Sequence, residues 1–176
     1  MPQRVYNNVE GHRVIDIIDG VQYIVEDVTK IGLPTFKHPV TELKNVSGMA
    51  MDMDMPNLTH LEAADFTLYH NNGINGRYLA MPEKHQFEVR TVRQRFNAAT
   101  GESEHESVKY RVTGYHVESQ KGDIETGSPY GSTDKYSLSR YEEEIDGELV
   151  TVIDAISGIL MWNGKEYTSI VESMLN

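Results

Sequence analysis

The stretch from Gly48 to Pro56, GMAMDMDMP, places methionine at every second position and carries two aspartates between its last three methionines. Thioethers are soft ligands that select Cu(I), so the four methionines could form a copper site. If the stretch is a strand, Asp52 and Asp54 point the same way, about 7 Å apart, as a D-x-D pair in an enzyme that handles a metal-bound nucleotide. The same alternation also fits a β-strand with one apolar edge, one charged edge and no chemistry.

The rest of the chain lacks what either metal site normally requires. The nearest histidine downstream is His60, beyond Pro56, and no glycine-rich phosphate loop joins a strand to a helix. The seven histidines show no helical ligand spacing, and we expect them to be surface or hydrogen-bonded structural residues. There is no G-x-S-x-G motif and no cysteine, which excludes thiol catalysis and iron–sulfur clusters. We therefore expect a protein that is not an enzyme, with no catalytic residue, cofactor or metal.

Composition narrows the class further. At 176 residues the chain suits one domain, residues 1–176, and it has no run of 18 apolar residues that could cross a membrane. The N-terminus lacks the apolar core of a signal peptide, and the absence of cysteine fits assembly in a reducing cytoplasm. The net charge of −11 is spread along the chain without a basic patch, which argues against binding to nucleic acid.

The first half of the chain reads as strands around an arm. Residues 1–20 are polar and are expected to be an irregular N-terminal arm, and one strand is expected from Val21 to Gly32. Residues 35–57 are expected to be an extended arm that includes the methionine stretch. The next strand, LEAADFTLY, should turn Ala64, Phe66 and Leu68 towards the core. Residues 71–82 leave room for one short helix.

The second half predicts two hairpins and a terminal helix. Strands 86–96 and 107–118 form the first hairpin, and Gly114 marks a bulge where the apolar side switches to Tyr115 and Val117. After a long loop at residues 119–133, strands 134–145 and 148–156 join at Asp146-Gly147, followed by a turn at 163–164. The run 142–144, EEE, fits a solvated strand edge or a role in the electrostatics of an assembly. Apolar residues at i, i+3, i+4, i+7 and i+8 from Tyr167 predict an amphipathic helix.

These elements predict a mainly β fold. We expect about seven strands in two packed antiparallel sheets that form a sandwich or barrel, with the C-terminal helix alongside.

The order of these segments resembles that of the major tail tube proteins of contractile-tailed phages, from about Asp19 to the end. The pieces that carry the resemblance are Asp19-Gly20 with Tyr23, Leu33-Pro34, Gly48-Met49 leading into the alternating stretch, residues 112–115 in the hairpin, and Asp146-Gly147 through Asp154. One departure is the short space at residues 71–82, where the family tends to carry a longer helix.

The resemblance implies a structural subunit. Six copies would form a ring with joined inner strands, and the rings would stack into a tube inside a contractile sheath. A tape-measure protein and then DNA would pass through the lumen without specific binding. The implied partners are further copies, the sheath protein, the baseplate or tube initiator and the tape-measure protein, in a virion tail assembled in the host bacterial cytoplasm. The alternatives are the inner tube of a phage-derived bacteriocin or injection device and, from another class, a small β-barrel carrier of a metal or ligand.

Two sets of residues follow as site candidates. The long segments at residues 36–56 and 119–133 are expected to make contacts between subunits and rings. Their candidates are Met49, Met51, Met53, Met55 and Tyr130. The lumen should be lined by the polar faces opposite the core, with Asp65, Thr67, Glu88, Arg90, Lys109, Arg111, Lys135, Ser137 and Ser139.

Overall fold

A computed structural model describes residues 4–48, 50–71, 79–129, 131–168 and 174. They form twelve strands: β1 Arg4–Ile18, β2 Val21–Val25, β3 Val28–Gly32, β4 Val40–Leu43, β5 Met53–Pro56, β6 Asp65–His70, β7 Lys84–Asn97, β8 Glu102–Gln120, β9 Ser132–Ile145, β10 Glu148–Asp154, β11 Ile159–Trp162 and β12 Lys165–Glu166. The C-terminal helix predicted from Tyr167 and the short helix predicted within residues 71–82 lie almost entirely outside the described residues.

The strands form one large antiparallel sheet and one separate ribbon. The large sheet runs β12-β11-β10-β9-β8-β7-β1-β2, and β6 pairs with the first half of β9 while β3 pairs with β6. The sheet folds back so that β3 and β6 face β1, β7 and β8, which gives a sandwich-like arrangement. Among the described strands, β4 and β5 pair only with each other. The predicted mainly β, antiparallel fold class is confirmed.

The core lies between these layers. Ala64, Phe66 and Leu68 are buried as predicted, with Phe66 and Leu68 fully covered. The ring of Phe87 on β7 lies 5.5 Å from that of Phe66 and 4.7 Å from that of Tyr136, which joins the layers through aromatic contacts. Each fully buried side chain of this kind stabilises the fold by about 1.5–3 kcal/mol.

The prediction of an irregular arm at residues 1–20 is wrong. Residues Arg4–Ile18 form β1, which pairs with β7 along most of its length and with β2 at its end. The sequence looks irregular because two register shifts, near Tyr6 and Gly11, interrupt the alternation, and because residues 8–13 are exposed and need no apolar side. The backbone hydrogen bonds to β7 make the strand, and Val14 fixes its inner face in the core.

The single strand expected from Val21 to Gly32 is two strands. The chain bends at Asp27, whose φ is 62°, so that β2 pairs with β1 whereas β3 crosses to pair with β6. Such splits, together with the short β4, β5, β11 and β12, raise the strand count from the expected seven to twelve.

The bulge predicted inside β8 at Gly114, with a switch of the apolar side, is wrong. β8 stays in register with β7 through Gly114, and the register shift between Thr113 and Gly114 places the extra residue, Ser139, on β9. Tyr115 and Val117 are exposed, whereas His116 is half-buried with its ring 5.4 Å from that of Tyr136, so β8 keeps its alternation up to His116. The extra residue on β8 is Val117, at the second register shift.

Gly114 is required by a close approach of two backbones. A Cβ at this position would lie 2.5 Å from the Ser137 carbonyl oxygen. We expect Gly114→Ala to lower the free energy of unfolding by roughly 1–3 kcal/mol, because the rigid neighbouring strand must move. Urea unfolding followed by circular dichroism measures this. The matched control is Gly11→Ala on β1, where a Cβ has nothing within 4 Å. Equal losses in both variants would contradict the close-approach argument.

Two tight turns match the prediction. Asp146-Gly147 and Asn163-Gly164 both have positive φ at both residues, the conformation of a type I′ hairpin turn. They close the β9–β10 and β11–β12 hairpins.

Candidate assembly and conduit surfaces

The arm, residues 35–57, is anchored at its base and is otherwise a free ribbon. His38 Nδ1 lies 2.7 Å from the carbonyl oxygen of Asn57 and 3.0 Å from that of His60. The Asn57 amide donates to the Pro39 carbonyl at 2.8 Å. Beyond this base β4 and β5 pair with each other and with no other described strand. The arm is therefore a defined two-stranded projection.

The methionines of the arm are exposed. Met51, Met53 and Met55 are 75%, 42% and 52% exposed, and the apolar Val40 and Leu58 beside them are also exposed. The extended conformation predicted for the stretch is found in β5, Met53–Pro56, while Met49 lies outside the described residues. Exposed apolar side chains grouped on a projecting ribbon are typical of a surface that contacts another protein.

One of the two aspartates between the methionines takes part in the turn of the arm. Asp52 precedes β5, and its Oδ1 accepts a hydrogen bond from the Asn45 amide at 3.1 Å, which closes the turn of the arm. Among the residues that the structure describes, no group of three or more histidines, aspartates or glutamates could hold a metal ion.

The second long loop is shorter than expected. β8 runs to Gln120 and β9 starts at Ser132, so strand pairing extends into both ends of the predicted segment 119–133. Its middle is exposed, with Ile124 95% exposed. The amide of Gly131 donates to the Asn71 carbonyl at 2.8 Å, which ties the end of the loop to the end of β6. Tyr130 lies outside the described residues.

The predicted lumen residues come together on one face of the sheet, opposite the core. We call this surface of β6–β10 the charged face. In register across the strands are Asp65 with Ser137, Thr67 with Lys135, Glu88 with Arg111, and Arg90 with Lys109. Ser139 differs, because it is the extra residue at the register shift and its hydroxyl donates to the Thr113 carbonyl at 3.3 Å.

Five cations of the charged face are held in ion pairs. Arg111 lies 2.8 Å from Glu144, 3.1 Å from Glu142 and 3.6 Å from Glu88. Lys109 donates to Glu144 at 2.8 Å, and this hydrogen bond, together with Arg111 and against the effect of partial burial, holds the pKa of Glu144 below its usual range.

Three further cations of the face are paired in the same way, whereas Lys84, in register with Tyr115, has no ion pair with any described residue. Arg90 lies 2.5 Å from Glu88, and Lys135 lies 2.9 Å from Asp65. Arg140 contacts Glu142 at 2.5 Å and Asp154 at 2.6 Å.

Five of these eight pairs involve residues that were not predicted to lie on the face. The run 142–144 was expected either to line a solvated edge or to act in the electrostatics of an assembly, but β9 is an interior strand between β8 and β10, and the side chains of Glu142 and Glu144 are only 15% and 18% exposed. The signal was the period of two in SRYEEEI, which puts Arg140, Glu142 and Glu144 on one side.

A second polar cluster lies inside the core, where each of five strands contributes one residue. His85 on β7 lies 3.2 Å from Asp16 on β1. Asp134 on β9 lies 3.6 Å from His70 on β6 and 3.4 Å from His116 on β8. The expectation of structural histidines holds for these three, but their pairing with buried carboxylates was missed because the partners are far apart in sequence.

A comparison of the sequence with models of known protein families shows the family to which the chain belongs. The profile of the family described as Phage tail tube protein FII matches residues 15–175, which include the arm and the whole charged face. The chain belongs to the phage tail tube protein FII family. No curated protein sequence matches it. Within the described residues, no helix is both long and apolar enough to cross a membrane.

Solved structures show likenesses to components of contractile injection systems. The cap of the anti-feeding prophage, its tube-terminating cap, is 15% identical with a TM-score of 0.49, over 80% of this chain and 93% of that chain. The sheath/tube terminator of the PVC extracellular contractile injection system in its extended state is 10% identical with a TM-score of 0.47, over 75% and 93%. A chain of the anti-feeding prophage baseplate is 12% identical with a TM-score of 0.45, over 82% and 93%. These identities and TM-scores are too low to indicate a function for this chain.

Proposed function

We propose that this chain is the structural subunit of a phage tail tube, which self-assembles as a single domain into stacked hexameric rings inside a contractile sheath and forms the conduit for DNA ejection. The observation that carries the proposal is the match to the tail tube family over residues 15–175. Its partners are further copies of itself, the sheath protein, the baseplate or tube initiator and the tape-measure protein. It acts in the virion tail after assembly in the host bacterial cytoplasm, and it catalyses no reaction.

The arm supports this proposal because its apolar side chains have no cover within the described part of the subunit. Met51, Met53 and Met55 are flexible side chains on a projecting ribbon, which suits a surface that becomes buried only when a neighbour arrives. The arm and the loop at residues 121–131 then make the contacts between subunits and rings, with Met49 and Tyr130 as further contact residues.

The edge of the sheet supports ring closure. β2 is the last strand on its side, pairs only with β1 among the described strands, and exposes Val21, Tyr23 and Ile24 by about half or more. An unpaired edge with apolar side chains invites pairing with another strand, and closure of a ring of subunits removes such edges. The charged face then lies towards the lumen.

Negative-stain electron microscopy tests the proposal on the purified full-length protein, alone and together with its sheath and baseplate partners. We expect rings with six-fold symmetry that stack into tubes. Particles that remain monomeric at high concentration under both conditions would overturn it. If the protein forms tubes but its gene lies in a cluster without capsid and terminase genes, the tube belongs to a bacteriocin or injection device.

A further inference from the structure

The charged face is neutral although the subunit is strongly acidic. It carries five ion-paired cations, Arg90, Lys109, Arg111, Lys135 and Arg140, and their five carboxylate partners, Asp65, Glu88, Glu142, Glu144 and Asp154. The register adds Lys84, in line with Tyr115 and Ser137, and Glu118, opposite Lys135, which makes six charges of each sign. The full chain has 16 basic and 27 acidic residues, so 10 basic and 21 acidic residues lie elsewhere and account for the whole net charge of −11. The net negative charge of the protein therefore lies outside this face.

The ion pairs decide what this face can do with a polyanion. Lysine and arginine bind nucleic acid by neutralising its phosphates and releasing the cations condensed around them, so a side chain whose charge is already neutralised by carboxylates gains little from a phosphate. Arg111 has three carboxylates around it, and Glu88, which contacts both Arg90 and Arg111, is only 8% exposed. A passing phosphate would have to displace a carboxylate held by two cations.

We propose that the carboxylates of the charged face, above all Glu142 and Glu144, mask its cations so that nucleic acid passes over the face without being held. This inference depends on the proposed function, because it assigns the face to the lumen. A surface with bare cations would bind each passing phosphate, and a uniformly acidic surface would repel it. Internal pairing does neither, since the field of each pair falls off over a short distance and is further screened by salt.

The register of the strands shows what the carboxylates prevent. Arg13, Arg90 and Lys109 lie side by side on β1, β7 and β8, in one row across the sheet. Arg90 and Lys109 are paired with Glu88 and Glu144, whereas Arg13 has no ion pair with any described residue. Without Glu144 this row would present two unpaired cations beside a third, which is the pattern of a phosphate-binding site.

The test is DNA binding by the double variant Glu142→Gln/Glu144→Gln. Glutamine keeps the size and an acceptor oxygen but removes the charge, which frees Lys109 and leaves Arg111 with only the longer contact to Glu88 at 3.6 Å. Fluorescence anisotropy with a labelled single-stranded oligonucleotide should show at least tenfold tighter binding than the wild type. Two freed cations predict a slope of log K against log salt of about −1.4 for single strands, or about a sevenfold loss of affinity between 50 and 200 mM salt.

The matched control is Glu102→Gln/Glu148→Gln, which removes two charges from exposed positions off the face and should bind no better than the wild type. Equal gains in both double variants would show that net charge alone governs binding and would overturn the proposal, as would wild-type binding as tight as that of the face variant.

The single variant Asp65→Asn keeps the proposal testable if the double variant fails to fold. Asp65 and its partner Lys135 are both 39% exposed, so this position tolerates change. Asp65→Asn should give a smaller gain, with a slope of about −0.7. No gain in Asp65→Asn or in a folded double variant overturns the masking idea. Assembly of the wild type is scored separately by microscopy, so the failure of one proposal is distinguishable from the failure of the other.

Discussion

Replacing Met51 and Met53 by aspartate will abolish ring and tube formation while leaving the subunit folded. Both side chains are exposed in the subunit, so the substitutions should change its free energy of unfolding by no more than about 0.5 kcal/mol. If a neighbouring subunit covers them, each carboxylate becomes a buried unpaired charge that costs the contact about 2–5 kcal/mol. That range corresponds to a roughly 30- to 4,000-fold loss of affinity per contact, which every contact in the tube repeats.

The measurement is negative-stain microscopy combined with sedimentation velocity, with thermal unfolding as the check on folding. The matched control is Met51→Leu/Met53→Leu, which keeps the apolar side chains at nearly constant volume and should assemble. Tubes of normal length from the aspartate variant would refute the contact role of the arm. An assembly defect in the leucine variant as well would mean that the thioethers themselves are required, which a packing role does not predict.

The parts of the fold that the sequence predicts well have local causes. The alternation around Phe66 and Leu68 and the two Asx-Gly turns are dictated by neighbours in sequence, because a strand alternates its faces and a type I′ turn needs positive φ at both positions. The glycine inside the β8 pattern marks a close approach of two backbones at Gly114, but the extra residue lies on the neighbouring strand β9 and could not be assigned from β8 alone.

The parts that could not be predicted depend on distant partners. β1 is a strand because β7, more than seventy residues away, supplies its hydrogen bonds. The contact of Arg111 with Glu142 spans 31 residues, so the cations looked free in the sequence. The strand register places the candidate lumen residues on one face, and the pairing of its charges arises only when the register brings β8 against β9. How the face and the arm meet other subunits stays a prediction.

The buried histidines titrate in opposite directions. Burial lowers the pKa of His85, but the hydrogen bonds with the Asp16 carboxylate and the Met81 carbonyl, with the charges of Asp16 and Glu83, outweigh it and raise the pKa above 6.5. For His70 burial dominates and holds the pKa below 6.5, although Asp134, Asp27 and the Glu26 carbonyl oppose it and Lys121 adds to it. Protonated His85 thus stabilises the fold, whereas His70 resists protonation in it.

These directions predict opposite pH dependences for two variants. Asp16→Asn leaves His85 buried without its carboxylate and should destabilise the fold by about 3–5 kcal/mol below pH 6.5, because the contribution of a raised pKa is fully present below the unfolded value. The penalty should shrink as the pH rises through the folded pKa. His70 costs stability as the pH falls below 6.5, so His70→Gln should lose less stability than the wild type between about pH 7.5 and about pH 5.5. Urea unfolding over this range measures both. A penalty for Asp16→Asn that stays constant or grows towards higher pH would show that the pair acts through packing and not through the charge on His85.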